Sequence, residues 1–263
     1  MKILEQNDII FETKNLTKAF ILSNGERLTA CDDISLTLHS GETLAIVGES
    51  GCGKSTLAKM LTQLIPATKG EVWFQGKEIT HLRGEALRQM RRHIQLVFQD
   101  AATALPPRQR VWEMVTEPLY NFGLLPRHER RAKAAALLQV MALSSELGER
   151  FVHELSGGQR QRVALVRALS LQPKVLICDE ATSALDVCTQ SAVIQQLLEI
   201  QRTQGLSILF ICHDLALAQQ VANRVAVLYQ GKMVEVLSAK QMLWKAQHPY
   251  TKTLLQATLH LQI

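Results

Sequence analysis

Between Ile34 and His39 apolar and polar residues alternate: Ile34, Leu36 and Leu38 are separated by Ser35, Thr37 and His39. A period of two sends successive side chains to opposite faces, so this segment predicts a half-buried strand in a β-rich region over residues 9–47. Leu44, Ala45, Ile46 and Val47 form an unbroken apolar run, which suits a strand covered on both faces. A glycine-rich loop follows. From Ser55 to Leu64 the spacing is helical, with Leu57, Met60, Leu61 and Leu64 expected on one side. Further strand signals lie at Glu71–Gln75 and Ile94–Phe98.

From about residue 100 to 154 the rhythm changes. Pro106, Pro107, Pro118 and Pro126 punctuate short segments, and His128–Leu143 is rich in Ala, Leu and Arg. This stretch predicts a helical subdomain inserted into the α/β core. From Leu155 helix and strand alternate again: a helix to about Leu171, a strand Val175–Cys178, a helix Thr189–Thr203 and a strand Ile208–Cys212. That order predicts a parallel sheet covered by helices. Val225–Tyr229 and Lys232–Leu237 flank Gln230-Gly231, a hairpin signal. The whole, residues 1–263, is expected to form one domain with the insertion at about 100–154 and a helical C-terminal tail at about 238–263.

Composition narrows the class. With 47% hydrophobic and 20% charged residues, the chain has the balance of a globular protein with a packed core. A net charge of +5 raises nucleic acid or an anionic surface as a partner. Nucleic acid is not expected, because no Lys/Arg run is interleaved with the aromatic platforms such binders use. The tightest basic cluster, Arg83, Arg88, Arg91, Arg92 and His93, reads as a solvated helix face. Cys31, Cys52, Cys178, Cys188 and Cys212 form no C-x-x-C pair, so isolated buried thiols in a reducing compartment are expected. Glu5, Asp8 and Glu12 stand where a signal peptide needs an apolar run. No stretch approaches the roughly 18 apolar residues of a membrane span. A cytoplasmic protein attached to a membrane only through partners is expected.

Three segments carry chemistry. Gly48, Glu49, Ser50, Gly51, Cys52, Gly53, Lys54, Ser55 and Thr56 match G-x-x-x-x-G-K-[ST], the P-loop, between an apolar strand and an amphipathic helix. Glycines let successive N–H groups point at phosphate oxygens, and the helix presents its positive end to the same anion. Lys54 adds a mobile charge for the β- and γ-phosphates, and Ser55 offers a hydroxyl to Mg²⁺. The strand Val175–Cys178 ends in Asp179-Glu180, placing two carboxylates where ligands bind in open α/β sheets. Asp179 is a candidate for Mg²⁺ and Glu180 for the base that orients and deprotonates water. Leu155, Ser156, Gly157, Gly158 and Gln159 open a helix with a capping serine and two glycines, a second anion cradle without a lysine.

Together these segments resemble the ATP-binding-cassette ATPases, with Leu155–Gln159 and the following Arg160-Gln-Arg-Val163 similar to that family's signature sequence. The resemblance implies a P-loop NTPase core, mostly a parallel sheet with flanking helices, plus an N-terminal antiparallel β region and an inserted α-helical subdomain. It implies ATP and Mg²⁺ as cofactors. It also implies roles for residues that spacing alone does not mark. Gln99 resembles the Q-loop glutamine that touches Mg²⁺. Ser183, Ala184, Leu185 and Asp186 resemble the D-loop. His213 resembles the switch histidine that contacts the γ-phosphate, and Phe20 the aromatic that stacks on adenine. In that family two cassettes sandwich each ATP between one chain's P-loop and the other's signature loop.

Val97-Phe-Gln-Asp100, Leu105-Pro-Pro-Arg108, Asp179–Asp186 and His248-Pro-Tyr-Thr251 resemble the oligopeptide, dipeptide and nickel importer subfamily. Ala101, Pro106 and Cys212 depart from its usual residues beside the Q-loop and the switch histidine. The subfamily implies a second, related ABC ATPase forming a heterodimer, two transmembrane permease subunits and an extracytoplasmic substrate-binding protein. It implies a place on the cytoplasmic face of the bacterial inner membrane. Peptide uptake is the expected function. Nickel import and a non-transport ABC ATPase are the alternatives, the latter usually carrying a coiled-coil insertion or a second cassette.

Overall fold

The structure is a computed structural model describing residues 9–99, 105–182 and 185–260. The chain forms two compact units. One comprises the described residues up to Arg91 together with those from Gly205, and the other is Arg92–Gln204.

In chain order the strands are β1 (Ile9–Ile21), β2 (Arg27–His39), β3 (Thr43–Val47), β4 (Lys69–Phe74), β5 (Lys77–Glu78) and β6 (Ile94–Val97). There follow β7 (Val175–Asp179), β8 (Ser207–Cys212), β9 (Arg224–Tyr229) and β10 (Lys232–Ser238).

In the first unit, β2-β1-β4-β5 make an antiparallel sheet, as expected for the N-terminal region. Along β2 the predicted alternation holds: Ile34, Leu36 and Leu38 are buried while Ser35 faces solvent. The same unit places β3 between β8 and β9, parallel to both, with β10 antiparallel to β9. All five residues of β3 and all six of β8 are buried. Strands covered on both faces favour apolar residues throughout, which is why Leu44–Val47 and Ile208–Cys212 read as unbroken runs after the buried Thr43 and Ser207. Gln230 and Gly231, at φ 46° and 79°, turn β9 into β10. Two consecutive positive φ values match the strands' right-handed twist. Leu44 is fully buried. Leu44→Ala is therefore expected to destabilise the fold by about 2–5 kcal/mol, read as a lower denaturant midpoint.

The helix after the glycine-rich loop, Lys54–Leu61, buries Leu57, Met60 and Leu61 as predicted. Leu64 is corrected: it lies beyond the helix end and is 45% exposed. Gln63, at φ 54°, has already turned the chain out of the helical path. The helix Gly84–His93 buries only Met90 and leaves Arg88 exposed, but the expected solvated face is corrected at its end: Arg91, Arg92 and His93 are half-buried where the chain runs into β6. Arg91 Nη2 donates to the Gln63 carbonyl at 2.9 Å. The tail forms short helical turns at Ala239–Gln241 and Met242–Lys245, then the helix Pro249–His260.

The second unit pairs β6 with β7 in parallel. Among the described residues its α-helices are Val111–Asn121, Arg130–Gln139, Gly157–Leu169 and Val187–Gln204. The helical stretch expected at about 100–154 lies inside this unit, which extends beyond it on both sides. Val111, Met114, Val115, Leu138 and Met141 form its apolar centre. Arg167 pairs with Glu117 at 2.8 Å. Four of the five cysteines are buried as expected, but Cys188 is exposed, on the outer side of the first turn of Val187–Gln204. Among the described residues no helix is long and apolar enough to cross a membrane.

Candidate functional site

In the first unit β3 delivers the chain into the loop Gly48–Thr56. Two of the loop's glycines answer steric demands. A Cβ on Gly48 would sit inside the contact distance of the Leu228 carbonyl oxygen, and one on Gly53 would meet the Ala30 carbonyl oxygen. Gly53 also has φ 109°, which L side chains rarely adopt. It stands at the N-cap of Lys54–Leu61, and no side chain caps that end. The first-turn amides are therefore left to backbone, solvent or a ligand.

Lys54 is 5% exposed. Its Nζ donates to the carbonyls of Gly48 at 2.7 Å and Glu49 at 2.8 Å, and lies 3.9 Å from Cys52 Sγ. Burial pushes the Cys52 thiol up, although the Lys54 charge pulls the other way. Burial, reinforced by Cys52, pushes the neighbouring Cys31 to about 12. Both stay protonated thiols beside the loop. Ser55 and Thr56 follow in the helix's first turn. The Glu49 N–H donates to the phenol oxygen of Tyr250 at 3.0 Å.

Strand register brings a further residue to this edge. Val47 at the end of β3 is paired with Cys212 at the end of β8. Gly48 and His213 therefore leave the sheet side by side, and His213 is exposed. Asp214 Oδ1 accepts the amides of Ala216 at 2.8 Å and Leu217 at 3.2 Å, capping the helix Leu215–Val221. Cys212 Sγ donates to the Asp214 carbonyl at 3.3 Å. Phe20 lies on β1 opposite Leu28 and is 37% exposed rather than part of the core. Lys18 Nζ stands 5.1 Å from its ring centroid.

The second unit repeats the device. Val97, the last residue of β6, pairs with Cys178, one residue before β7 ends at Asp179, so Gln99 and Asp179-Glu180 come to one edge. Gln99 Nε2 donates to Glu180 Oε2 at 2.7 Å. Asp179 is 3% exposed. Burial, with a further contribution from the Asp179 charge, pushes the adjacent Cys178 thiol to about 12. Glu180 has φ 48°, uncommon for a residue with a side chain and a form of strain that gathers at functional sites. Gln161, 2% exposed, donates through Nε2 to the Ala181 carbonyl and so steadies the turn behind Glu180. Gln161 lies in the run that extends the signature resemblance, which gave it no role; its own signal is a polar residue on the buried side of an amphipathic helix.

Leu155–Gln159 forms a reciprocal cap. Ser156 Oγ accepts the Gln159 amide at 3.2 Å, and Gln159 Oε1 accepts the Ser156 amide at 3.0 Å. Ser156 was expected at an N-cap and stands there. The bond uses a lone pair of its hydroxyl and leaves the proton to donate. Gly158 faces Leu185, with space for a Cβ only 3.3 Å from Leu185 Cδ2. Asp186 Oδ1 accepts the Thr189 amide at 2.9 Å. Hydrogen bonds from the Thr189 amide and hydroxyl hold its carboxyl below the usual range. Ser183 and Ala184 lie outside the described residues, as do Asp100 and Ala101.

Comparison with known proteins bears on these two edges. Residues 31–183 match the profile of the family described as ABC transporter. The chain is 42% identical over 257 residues to a probable peptide ABC transporter ATP-binding protein, y4tS, of Sinorhizobium fredii, covering 95% of this chain and 73% of that protein. It is 44% identical over 254 residues to the glutathione import ATP-binding protein GsiA of Pectobacterium atrosepticum, covering 94% of this chain but only 41% of that protein. Among solved structures it resembles the dimeric post-hydrolysis state of the ATP-binding cassette MJ0796 bound to ADP and Pi. The TM-score is 0.81 at 30% identity, over 88% of this chain and 99% of that one. The cbiO1 protein of Clostridium perfringens, part of the ABC transporter complex cbiONQ, matches with a TM-score of 0.78 at 28% identity, over 97% of this chain and 96% of that one.

Proposed function

The chain belongs to the ABC transporter family, and from that premise we propose that it is the ATP-binding and ATP-hydrolysing subunit of a bacterial peptide importer. The observation that carries the reading is the loop Gly48–Thr56, with a buried lysine held over an uncapped helix start. The relatives' names support peptide cargo over nickel, since one is a peptide transporter protein and another a glutathione importer. Glutathione is itself a small peptide.

Lys54 would turn N–H donors toward β- and γ-phosphate oxygens, and the first-turn amides would donate to the same phosphates. The Ser55 hydroxyl, the Asp179 carboxylate and the Gln99 amide oxygen are hard donors, and they fit Mg²⁺, which takes one or two carboxylates together with substrate phosphates. Bound there, Mg²⁺ would neutralise charge developing on the phosphoryl oxygens. Glu180 would release Gln99 to orient the attacking water and accept its proton. His213 would contact the γ-phosphate, and the half-exposed Phe20 ring would stack on adenine. Closing on ATP and opening after hydrolysis would drive transport.

The signature loop Leu155–Gln159 would serve the ATP of a second, related ABC ATPase, with Ser183–Asp186 as the D-loop. Membrane attachment would run through two permeases, on the cytoplasmic face of the inner membrane, with an extracytoplasmic binding protein delivering cargo. The test is reconstitution of this chain with its permeases and binding protein in vesicles. ATP-dependent uptake of labelled peptide is expected, and uptake of nickel but not peptide would overturn the cargo. In the same vesicles Ser156→Arg is expected to cut transport at least tenfold, because a bulky side chain would stand where the partner's γ-phosphate docks. MgATP affinity at this chain's own loop should not change. Full transport by a homodimer of this chain would overturn the heteromeric arrangement.

A further inference from the structure

The peptide group between Gly48 and Glu49 is gripped at both ends. Its carbonyl, Gly48 O, accepts Lys54 Nζ at 2.7 Å. Its N–H, on Glu49, donates to Tyr250 Oη at 3.0 Å. The lysine is the adaptable partner, since its three N–H donors can be shared between loop carbonyls and phosphate. The tyrosine is held rigidly. Its ring stacks on Tyr229 with centroids 4.1 Å apart. Its own amide donates to His248 Nδ1 at 3.2 Å. The Glu235 carboxylate accepts the amides of Gln247 at 2.8 Å and His248 at 3.3 Å, fixing the chain just before Pro249–His260. Thr251, the next residue, is fully buried. Burial also pushes the phenol up, so it remains a neutral hydroxyl.

The same corner steadies the loop at two more points, both through backbone. Gly231 N donates to the Cys52 carbonyl at 3.0 Å, and Gly48 packs against the Leu228 carbonyl.

We propose that Tyr250 is a positioning residue for nucleotide binding: it holds the N–H end of the Gly48–Glu49 peptide, and so the loop's binding orientation, as Lys54 redistributes its donors toward phosphate. This rests on reading Gly48–Thr56 as the nucleotide loop. Without the phenol, that peptide is held at its carbonyl end alone, and restoring its orientation on binding subtracts from the binding free energy. A tail residue far along the chain is thereby part of the nucleotide site without touching nucleotide.

The test uses the full chain with Tyr250→Phe, which keeps the stack on Tyr229 and removes only the hydroxyl. A net hydrogen bond corresponds to about a three- to tenfold change, so the Kd for MgATP and the KM for ATP should rise by that factor while kcat stays the same. Hydrogen exchange in the segment spanning Gly48–Cys52 should quicken. Tyr229→Phe, which retains the ring and leaves the Glu49 bond intact, should bind as the parent does. A lower melting temperature with unchanged Kd is what a merely structural contact produces, and it would overturn the proposal. Failure of the parent chain itself to bind MgATP would instead remove the reading of the loop on which the proposal rests.

Discussion

Lys54→Ala is expected to lower MgATP affinity by roughly two orders of magnitude or more, enough to abolish binding at ordinary concentrations. Hydrogen bonds to a charged group contribute about 1.5–3 kcal/mol each, and the ammonium would make at least two to the phosphates. The substitution also strips the Gly48 and Glu49 carbonyls of their shared donor. The loop then loses an internal brace as well as its charge. Equilibrium titration with a fluorescent ATP analogue checks this, with circular dichroism to establish that the fold survives. Parent-like affinity in a folded variant would sink the phosphate role of the loop.

Glu180→Gln is expected to leave MgATP binding intact and to slow turnover by about 10²–10⁴, the usual contribution of a general base. The amide replaces the carboxylate with nearly the same shape, and its oxygen can still accept from Gln99, which donates to Glu180 Oε2 at 2.7 Å. What it loses is the capacity to take a proton. The left-handed backbone at this position, φ 48°, suits glutamine no less than glutamate, so the turn should persist. Single-turnover phosphate release separates the chemical step from nucleotide binding. Hydrolysis at the parent rate would take the base role away from Glu180.

The parts of this protein that its sequence determined unaided are those set by neighbours along the chain. The period of two in β2, the unbroken apolar runs of β3, β7 and β8, and the positive-φ turn at Gln230-Gly231 are local preferences, and each stands where the pattern predicts. The contiguous G-x-x-x-x-G-K-S run and the Ser156 cap are legible for the same reason. Their chemistry needs only residues within one turn of backbone. Even there, local reading overran its limits. Leu64 kept helical spacing but lies past a left-handed Gln63, and Cys188 looked like another buried thiol yet sits on an outer face.

Register and packing decided the rest. Nothing local requires Val47 to lie beside Cys212, or Val97 beside Cys178, yet those pairings deliver His213 next to Gly48 and Gln99 next to Glu180. A resemblance to known ATPases supplied those residues in advance; periodicity could not. The Tyr250 bond to the Glu49 amide joins positions 201 residues apart, and neither residue carries a mark of it in its own surroundings. Such contacts come from the way whole strands and helices fill space, where many long-range packings are settled together. Local dihedral and hydrophobic preferences chose the elements of this chain, whereas the meeting of particular side chains at the two strand edges was left to tertiary structure.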